Sequence, residues 1–234
     1  DPAELPIAAV VGPALAAELH AMHAAHGVRT LRGETRRIAR AGAGWRVEVD
    51  VAEPRGLEVD ADAVLVAIGM APDVELALGA GLSVAGGVLV DAGQRTSHPR
   101  VYAVGDAART RLPGGTLARR QEHWENALHG GQRAAASIVG QAPPAPTAPW
   151  MWTDRYGVHV EAVGALDAGL AVVRRVAGRP VAEFRLGEGG RLLGASSIDG
   201  GTLIRAARRL IDRGAAVDPA ALADPAVDLK RLAR

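Results

Sequence analysis

The sequence predicts an α/β chain that ends in a separate, small α+β domain. Three observations carry this reading. Apolar runs such as "AVLVAI" at 63–68, closed by Gly69, have the pattern of strands buried on both faces of a sheet. A proline-rich stretch, "QAPPAPTAP" at 141–149, lacks amide donors and fixes the backbone, which marks an extended linker and a domain boundary. Beyond it, four short strand patterns separated by turn signals lead into one helical segment, enough for a domain of its own.

Each element follows from local pattern. "GPALAAELHAMHAAH" at 12–26 has the spacing and alanine content of a helix, closed by Gly27. "RTLRGETRRI", "WRVEVDV" and "GLEVDAD" alternate like strands of a small antiparallel sheet. After the 63–68 strand, "DVELALGAG" predicts a short helix capped by Asp73, and "GVLVD" (87–91) and "VYAV" (101–104) predict two further strands. Residues 121–140 form a longer helical segment, interrupted in propensity by Gly130 and Gly131. In the last domain, "VHVEAVG", "AVVRRVAG", "VAEFRLG" and "RLLGASSID" are strands and "TLIRAARRLIDRG" the helix.

Composition narrows the class. A net charge of +1 argues against a general nucleic-acid binder, and no apolar run approaches the roughly 20 residues of a membrane span. Without cysteine there is neither a disulfide framework nor a thiolate metal site, and the start has no secretory layout, so a cytoplasmic enzyme is expected. The first methionine is Met22, so a piece of a longer chain, or a processed one, is expected.

Four features are candidates for chemistry. At "VYAVGDAA" (101–108) an apolar strand meets Gly105 and then the carboxylate of Asp106. Either the chain approaches a ligand there, with Gly105 removing a side chain and Asp106 accepting hydrogen bonds, or Asp106 caps a helix starting at Ala107. His20, His23 and His26 lie three apart on the first helix, where steps of three leave the outer two about 120° apart, so a solvated face fits better than a metal site. Five of the seven aromatics (Tyr102, Trp124, Trp150, Trp152 and Tyr156) fall within 55 residues, for stacking on a flat π system or for packing between the two domains. Arg109, Arg111, Arg119 and Arg120 lie in a stretch without acids, which suits an acidic partner or a phosphate, or is solvated loop. Neither a G-x-S-x-G nucleophile motif nor a G-x-G-x-x-G fingerprint is present.

Four segments in order resemble one family. "VLVAIGMAPDVEL" (64–76) resembles the strand and G-x-x-P-N loop of two-dinucleotide flavoenzymes, with Asp73 at the usual Asn. "GGVLVDAGQRTSHPRVYAVGDAA" (86–108) resembles their second FAD motif, and "RQEHWENALHGGQRAAASIVG" (120–140) the helix that follows it. "APWMWTDRYGVHVEAVG" (148–164) resembles the start of a C-terminal domain peculiar to FAD-dependent NAD(P)H–ferredoxin reductases of the putidaredoxin and rubredoxin reductase type.

The resemblance implies a Rossmann-like FAD/NAD flavoenzyme fold, incomplete in this chain, with a C-terminal reductase domain. It implies the second half of an NAD(P)-binding domain at 1–66, the closing part of an FAD-binding domain at 67–141, and the reductase domain at 150–234. Asp106, next to Gly105, would hydrogen-bond the FAD ribityl chain. Glu122, His123 and Trp124 would open the helix whose N-terminus faces the flavin pyrimidine edge, where the positive dipole end suits a reduced flavin. Trp152 would reach the flavin from the C-terminal domain, and Gly69 would lie near the nicotinamide. Hydride would pass from NAD(P)H to FAD and electrons on to a ferredoxin-like iron–sulfur protein, docking near Arg109, Arg111, Arg119 and Arg120. In this family the glycine fingerprints precede the equivalent of Asp1, so the 234-residue chain alone is not expected to be competent. The residue that chooses NAD over NADP is expected there too. The other reading is a non-catalytic fragment or scaffold without cofactor.

Overall fold

The computed structural model describes residues 1–51 and 56–233. It divides into two compact units, Asp1–Ala67 with Trp150–Arg234, and Ile68–Pro149.

The first segment opens with α1 (Ala8–Val11) and α2 (Pro13–Ala25). Pro13 sits at the first helical position, where its missing amide hydrogen costs nothing, and Gly27 follows the C-terminus with φ +73°. The three predicted strands form as an antiparallel meander of β1 (Gly33–Ala41), β2 (Gly44–Val51) and β3 (Leu57–Ala61). Its outer face carries cross-strand pairs such as Arg46 with Asp60 at 2.8 Å, and Arg40 lies 4.1 Å from the centre of the Trp45 ring. The expected strand at 63–68 does not form. Leu65 and Ile68 are 91% and 92% exposed, because a parallel strand exists only by pairing and no described segment pairs with this one.

The second unit holds α3 (Glu75–Gly79), β4 (Val88–Val90), β5 (Ala108–Thr110) and α4 (Trp124–Ile138). Asp73 accepts a hydrogen bond from the Glu75 amide at 3.1 Å, so it steadies the start of α3 as expected. β4 is buried throughout and pairs in parallel with β5. The expected strand at 101–104 is reduced to a single bridge between Tyr102 and Arg95. There the chain folds back on the loop that follows β4, with the Ala103 amide donating to the Gln94 carbonyl, and Val101 and Val104 stay exposed. In α4, Gly130 is buried, and a Cβ there would sit 3.4 Å from Gln94 Oε1 and Val104 Cβ.

The C-terminal segment builds β6 (Trp150–Arg155), β7 (Val158–Gly164), β8 (Leu170–Val176), β9 (Arg179–Leu186) and β10 (Leu192–Ile198), then α5 (Gly201–Asp212), α6 (Pro219–Ala223) and α7 (Leu229–Leu232). The strands form one antiparallel sheet in the order β6-β7-β10-β9-β8. β6 was not expected from the sequence; its Trp150 and Trp152 were read as aromatics for stacking on a ligand or for packing between domains, not as strand residues. Arg174 on β8 is buried and donates to the carbonyls of Leu222, Ala221 and Val227, so it stops the open end of α6.

Helices α1 and α2 pack on this sheet. Val11, Leu15, Ala16 and Leu19 form one core with Val160, Ala162 and Leu166. Glu183 of β9, 1% exposed, lies against the start of α2. One of its oxygens accepts the Ala14 amide at 2.8 Å, at the N-terminus of α2, and the other accepts Arg185 Nη2 at 2.8 Å. Ser196 of β10 donates to the Val11 carbonyl beside it. Gly12 (φ +83°) is required there, since a Cβ would fall 2.2–2.5 Å from the Glu183 carboxylate.

Gly12→Ala is therefore expected to destabilise by about 1–3 kcal/mol, the range for forcing extra atoms into a packed interior. Glu183→Ala should cost about 3–5 kcal/mol, because it strands Arg185 and an α2 amide. Chemical denaturation checks both; a loss under about 0.5 kcal/mol, typical of surface substitutions, would contradict the clasp.

Candidate functional site

The Gly105–Ala107 segment is a single 3-10 turn from which the chain runs directly into β5. No helix starts at Ala107, so the capping role open to Asp106 in the sequence is absent. Gly105 has φ +70°, and a Cβ there would lie 3.3 Å from Ala127 Cβ on α4, so a glycine keeps the turn close to the helix. The Asp106 side chain is exposed, and its carboxylate has no hydrogen-bond partner among the described residues. It is an acceptor held at the surface of a rigid turn and committed to nothing else.

Arg120 organises the surroundings of this turn. Its Nη1 donates to the Asp106 carbonyl at 2.9 Å, its Nη2 reaches the Met70 carbonyl at 3.4 Å, and it is paired with the Glu122 carboxylate. One largely buried guanidinium thus gathers the Asp106 turn, the residue after Gly69 and the approach to α4. Gly69 itself has φ +111° with open space where a side chain would be. The sequence reading placed Arg120 in a docking patch; its fork of donors is already spent on carbonyls and a carboxylate. Arg109 likewise donates to carbonyls, those of Ala118 (3.1 Å) and Ala85 (2.9 Å). Arg111 and Arg119 remain exposed.

His123 is the N-cap of α4, with its Nδ1 accepting the Glu125 amide at 3.4 Å, and Trp124 is 58% exposed at the first helical position. Glu125 stands in the first turn, where the helix dipole favours a carboxylate. Arg120, Glu122, Asp106 and Met70 are therefore one connected group, next in sequence to the His123 cap of α4.

Trp152 belongs to the other unit. It is 40% exposed on β6 and stacks on His159 with ring centres 6.0 Å apart. The remaining aromatics have local partners: Tyr102 lies under Arg95, and Trp124 beside His123. Tyr156 stacks on His26 at 3.9 Å, and its hydroxyl meets His23 Nδ1 at 2.9 Å. His23 on α2 and its C-cap His26 thus hold the tip of the β6–β7 hairpin, with His20 edge-on to His23. Burial and the neighbouring Arg155 hold the His23 pKa below its usual value. Among the described residues no group of three or more acids and histidines is arranged to hold a metal, and no helix is long and apolar enough to cross a membrane.

The parallel strand pair, the Gly-Asp turn and the helix packed behind it make this unit a mixed α/β arrangement. Residues 4–131 match the pyridine nucleotide-disulphide oxidoreductase family and residues 150–233 the reductase C-terminal domain. The chain belongs to the pyridine nucleotide-disulphide oxidoreductase family. Over 234 residues it is 38% identical to the ferredoxin–NAD(+) reductase component of the anthranilate 1,2-dioxygenase system of Burkholderia cepacia, covering 98% of this chain and 56% of that protein. A ferredoxin reductase from Rhodopseudomonas palustris superposes with a TM-score of 0.85 at 30% identity, covering 96% of this chain and 55% of the other. Putidaredoxin reductase in its covalent complex with putidaredoxin superposes at 0.82 and 28% identity, covering 95% and 54%. The chain thus spans about half the length of the relatives it matches.

Arg120→Ala is expected to remove charge-assisted bonds worth about 1.5–3 kcal/mol locally. Hydrogen exchange should then quicken at the amides of 105–107 and 122–126 and stay unchanged in β7, β9 and β10. Unaltered exchange around Asp106 would show that Arg120 does not hold the turn.

Proposed function

We propose that this chain is part of a flavin-dependent oxidoreductase that passes electrons from NAD(P)H through FAD to a ferredoxin-like iron–sulfur protein in the cytoplasm. Residues 1–66 serve as the second half of its NAD(P)-binding domain, 67–141 as the closing part of its FAD-binding domain and 150–234 as its C-terminal reductase domain. The observation that carries the proposal is the exposed, uncommitted Asp106 carboxylate on a glycine turn, tied through Arg120 to the N-terminus of α4. The relatives, both named as ferredoxin reductases, support the same reading.

The residues present fit FAD. A hydroxylated chain needs acceptors that can approach it closely, and Asp106 beside a residue without a side chain supplies one. The start of α4 offers backbone amides and a positive dipole end to the polar edge of a flavin ring. FAD, when bound, supplies the chemistry of accepting hydride and releasing electrons one at a time. The protein's share is placement. Asp106 holds the ribityl hydroxyls, His123 fixes the first turn of α4, and Glu122 keeps Arg120 neutralised so that no bare cation competes for the ring. Gly69 leaves room on the nicotinamide side, and within its own unit Trp152 presents an exposed indole face suited to stacking on a flat ring. Exposed Arg111 and Arg119 form the docking surface for an acidic iron–sulfur protein, with Arg109 and Arg120 shaping the loop between them.

In the FAD-loaded protein, Asp106→Ala is expected to weaken FAD binding by one to two decades, the equivalent of about 1.5–3 kcal/mol for a hydrogen bond to a charged acceptor. Titration of the apoprotein measures it, and an unchanged dissociation constant would remove Asp106 from the site. Reversing charge at Arg111 and Arg119 should slow reduction of an acidic ferredoxin and spare a small dye. That defect should shrink as added salt cuts the screening length below about 8–10 Å. Equal losses with both acceptors would return the two arginines to plain surface.

A further inference from the structure

The face of the β6–β7 hairpin that carries Trp152 holds a second group that the site above does not use. In the antiparallel register Trp152 stands opposite Glu161, and Asp154 opposite His159, so four side chains share one face. His159 Nδ1 lies 2.6 Å from Asp154 Oδ1, and His159 Nε2 lies 3.2 Å from Glu161 Oε1. An ionised carboxylate only accepts, so both contacts are satisfied together only when both ring nitrogens carry protons. The ring so fixed stacks on the Trp152 indole with 28° between the planes, an arrangement in which a cation is attracted to the aromatic face.

We propose that His159, held as an imidazolium between Asp154 and Glu161, is a positioning residue that sets the orientation of the Trp152 indole. Its weight in electron transfer rests on the reading of Trp152 as a flavin neighbour; the clamp itself does not. The backbone supports the same geometry. The His159 amide donates to Asp199 Oδ1 at 2.8 Å, and the Asp199 amide donates to the His159 carbonyl at 2.7 Å, which pins the strand under the ring. Glu161 is held against the start of α5, where its carboxylate lies 3.3–3.4 Å and Arg205 Nη1 3.5 Å from the position of a Cβ on Gly201. The charged groups facing His159 are therefore Asp154 from β6, Glu161 from β7 and Asp199 after β10, with Arg205 on α5 beyond Glu161.

Hydrogen bonds that the ring donates to Asp154, first, and to Glu161 raise the His159 pKa above its usual 6.5. The clamp is therefore fully present below pH 6.5 and is lost as pH rises through the raised value. Above it, one ring nitrogen carries a lone pair that faces a carboxylate, and the stack on Trp152 loses its charge.

The test is a nuclear magnetic resonance titration of the full chain without flavin. It follows the ring carbon of His159, assigned with His159→Gln, and the indole N–H of Trp152, assigned with Trp152→Phe. The expected result is a His159 midpoint above 6.5 and a Trp152 indole signal that moves with the same midpoint. Glu161→Gln should lower that midpoint, and His159→Gln should abolish the pH dependence of the Trp152 signal. A Trp152 signal that ignores the His159 midpoint, or one that still titrates in His159→Gln, would overturn the clamp. Because no flavin is present, that failure would leave the proposed place of Trp152 untouched, and flavin experiments cannot rescue or sink the clamp.

Discussion

The Glu183 carboxylate, buried at the N-terminus of α2, is the contact on which the larger unit depends. A carboxylate with 1% exposure is tolerable only if its oxygens are hydrogen-bonded, and here one accepts an α2 amide and the other accepts Arg185 from the same strand. The arrangement fixes sequence far away. Gly12 must lack a side chain, Pro13 can begin the helix without an amide, and Ser196 must reach the Val11 carbonyl. With α2 seated, Val11, Leu15 and Leu19 close over β7, and His23 and His26 meet Tyr156 at the tip of the β6–β7 hairpin. That hairpin carries Trp152 and its neighbours, so the aromatic face rests on a strand braced from behind.

The second unit is organised by a different means. Its sheet is one pair of three-residue strands, too little to fix a site by packing alone. Glycine contacts and one guanidinium do that work instead. Gly105 lets the turn touch α4, and Arg120 ties the turn to the stretch after Gly69 and to Glu122. The result leaves a carboxylate at the surface with nothing to bind in its own unit, an arrangement that folding alone does not call for.

Much of this was legible in the sequence, and what was missed has physical causes. Alternation and turn glycines gave β1, β2, β3 and the last four strands, since antiparallel strands carry their pattern locally. The apolar runs at 63–68 and 101–104 were misread because a strand pattern predicts the tendency to pair, and no partner follows in the described chain. β6 was hidden because its tryptophans were weighed for chemistry before spacing. At the site, Gly105 and Asp106 stood out through an abrupt change from apolar strand to acid. Arg120 did not, because a run of arginines looks the same whether its donors face solvent or the protein's own carbonyls. Glu122 two residues on was the available signal, an acid placed to neutralise one of them. Glu183 and His159 were silent because each needs a partner from another element, the Ala14 amide of α2 and Asp154 of β6, beside the one on its own strand.

The most direct measurement of the central claim is the separation between Asp106 and the flavin in a crystal structure of the FAD-loaded protein. The account predicts a carboxylate oxygen of Asp106 at about 2.5–3.0 Å from a ribityl hydroxyl, the range of a charge-assisted bond. A flavin bound with its ribityl chain elsewhere and Asp106 still facing solvent would contradict it.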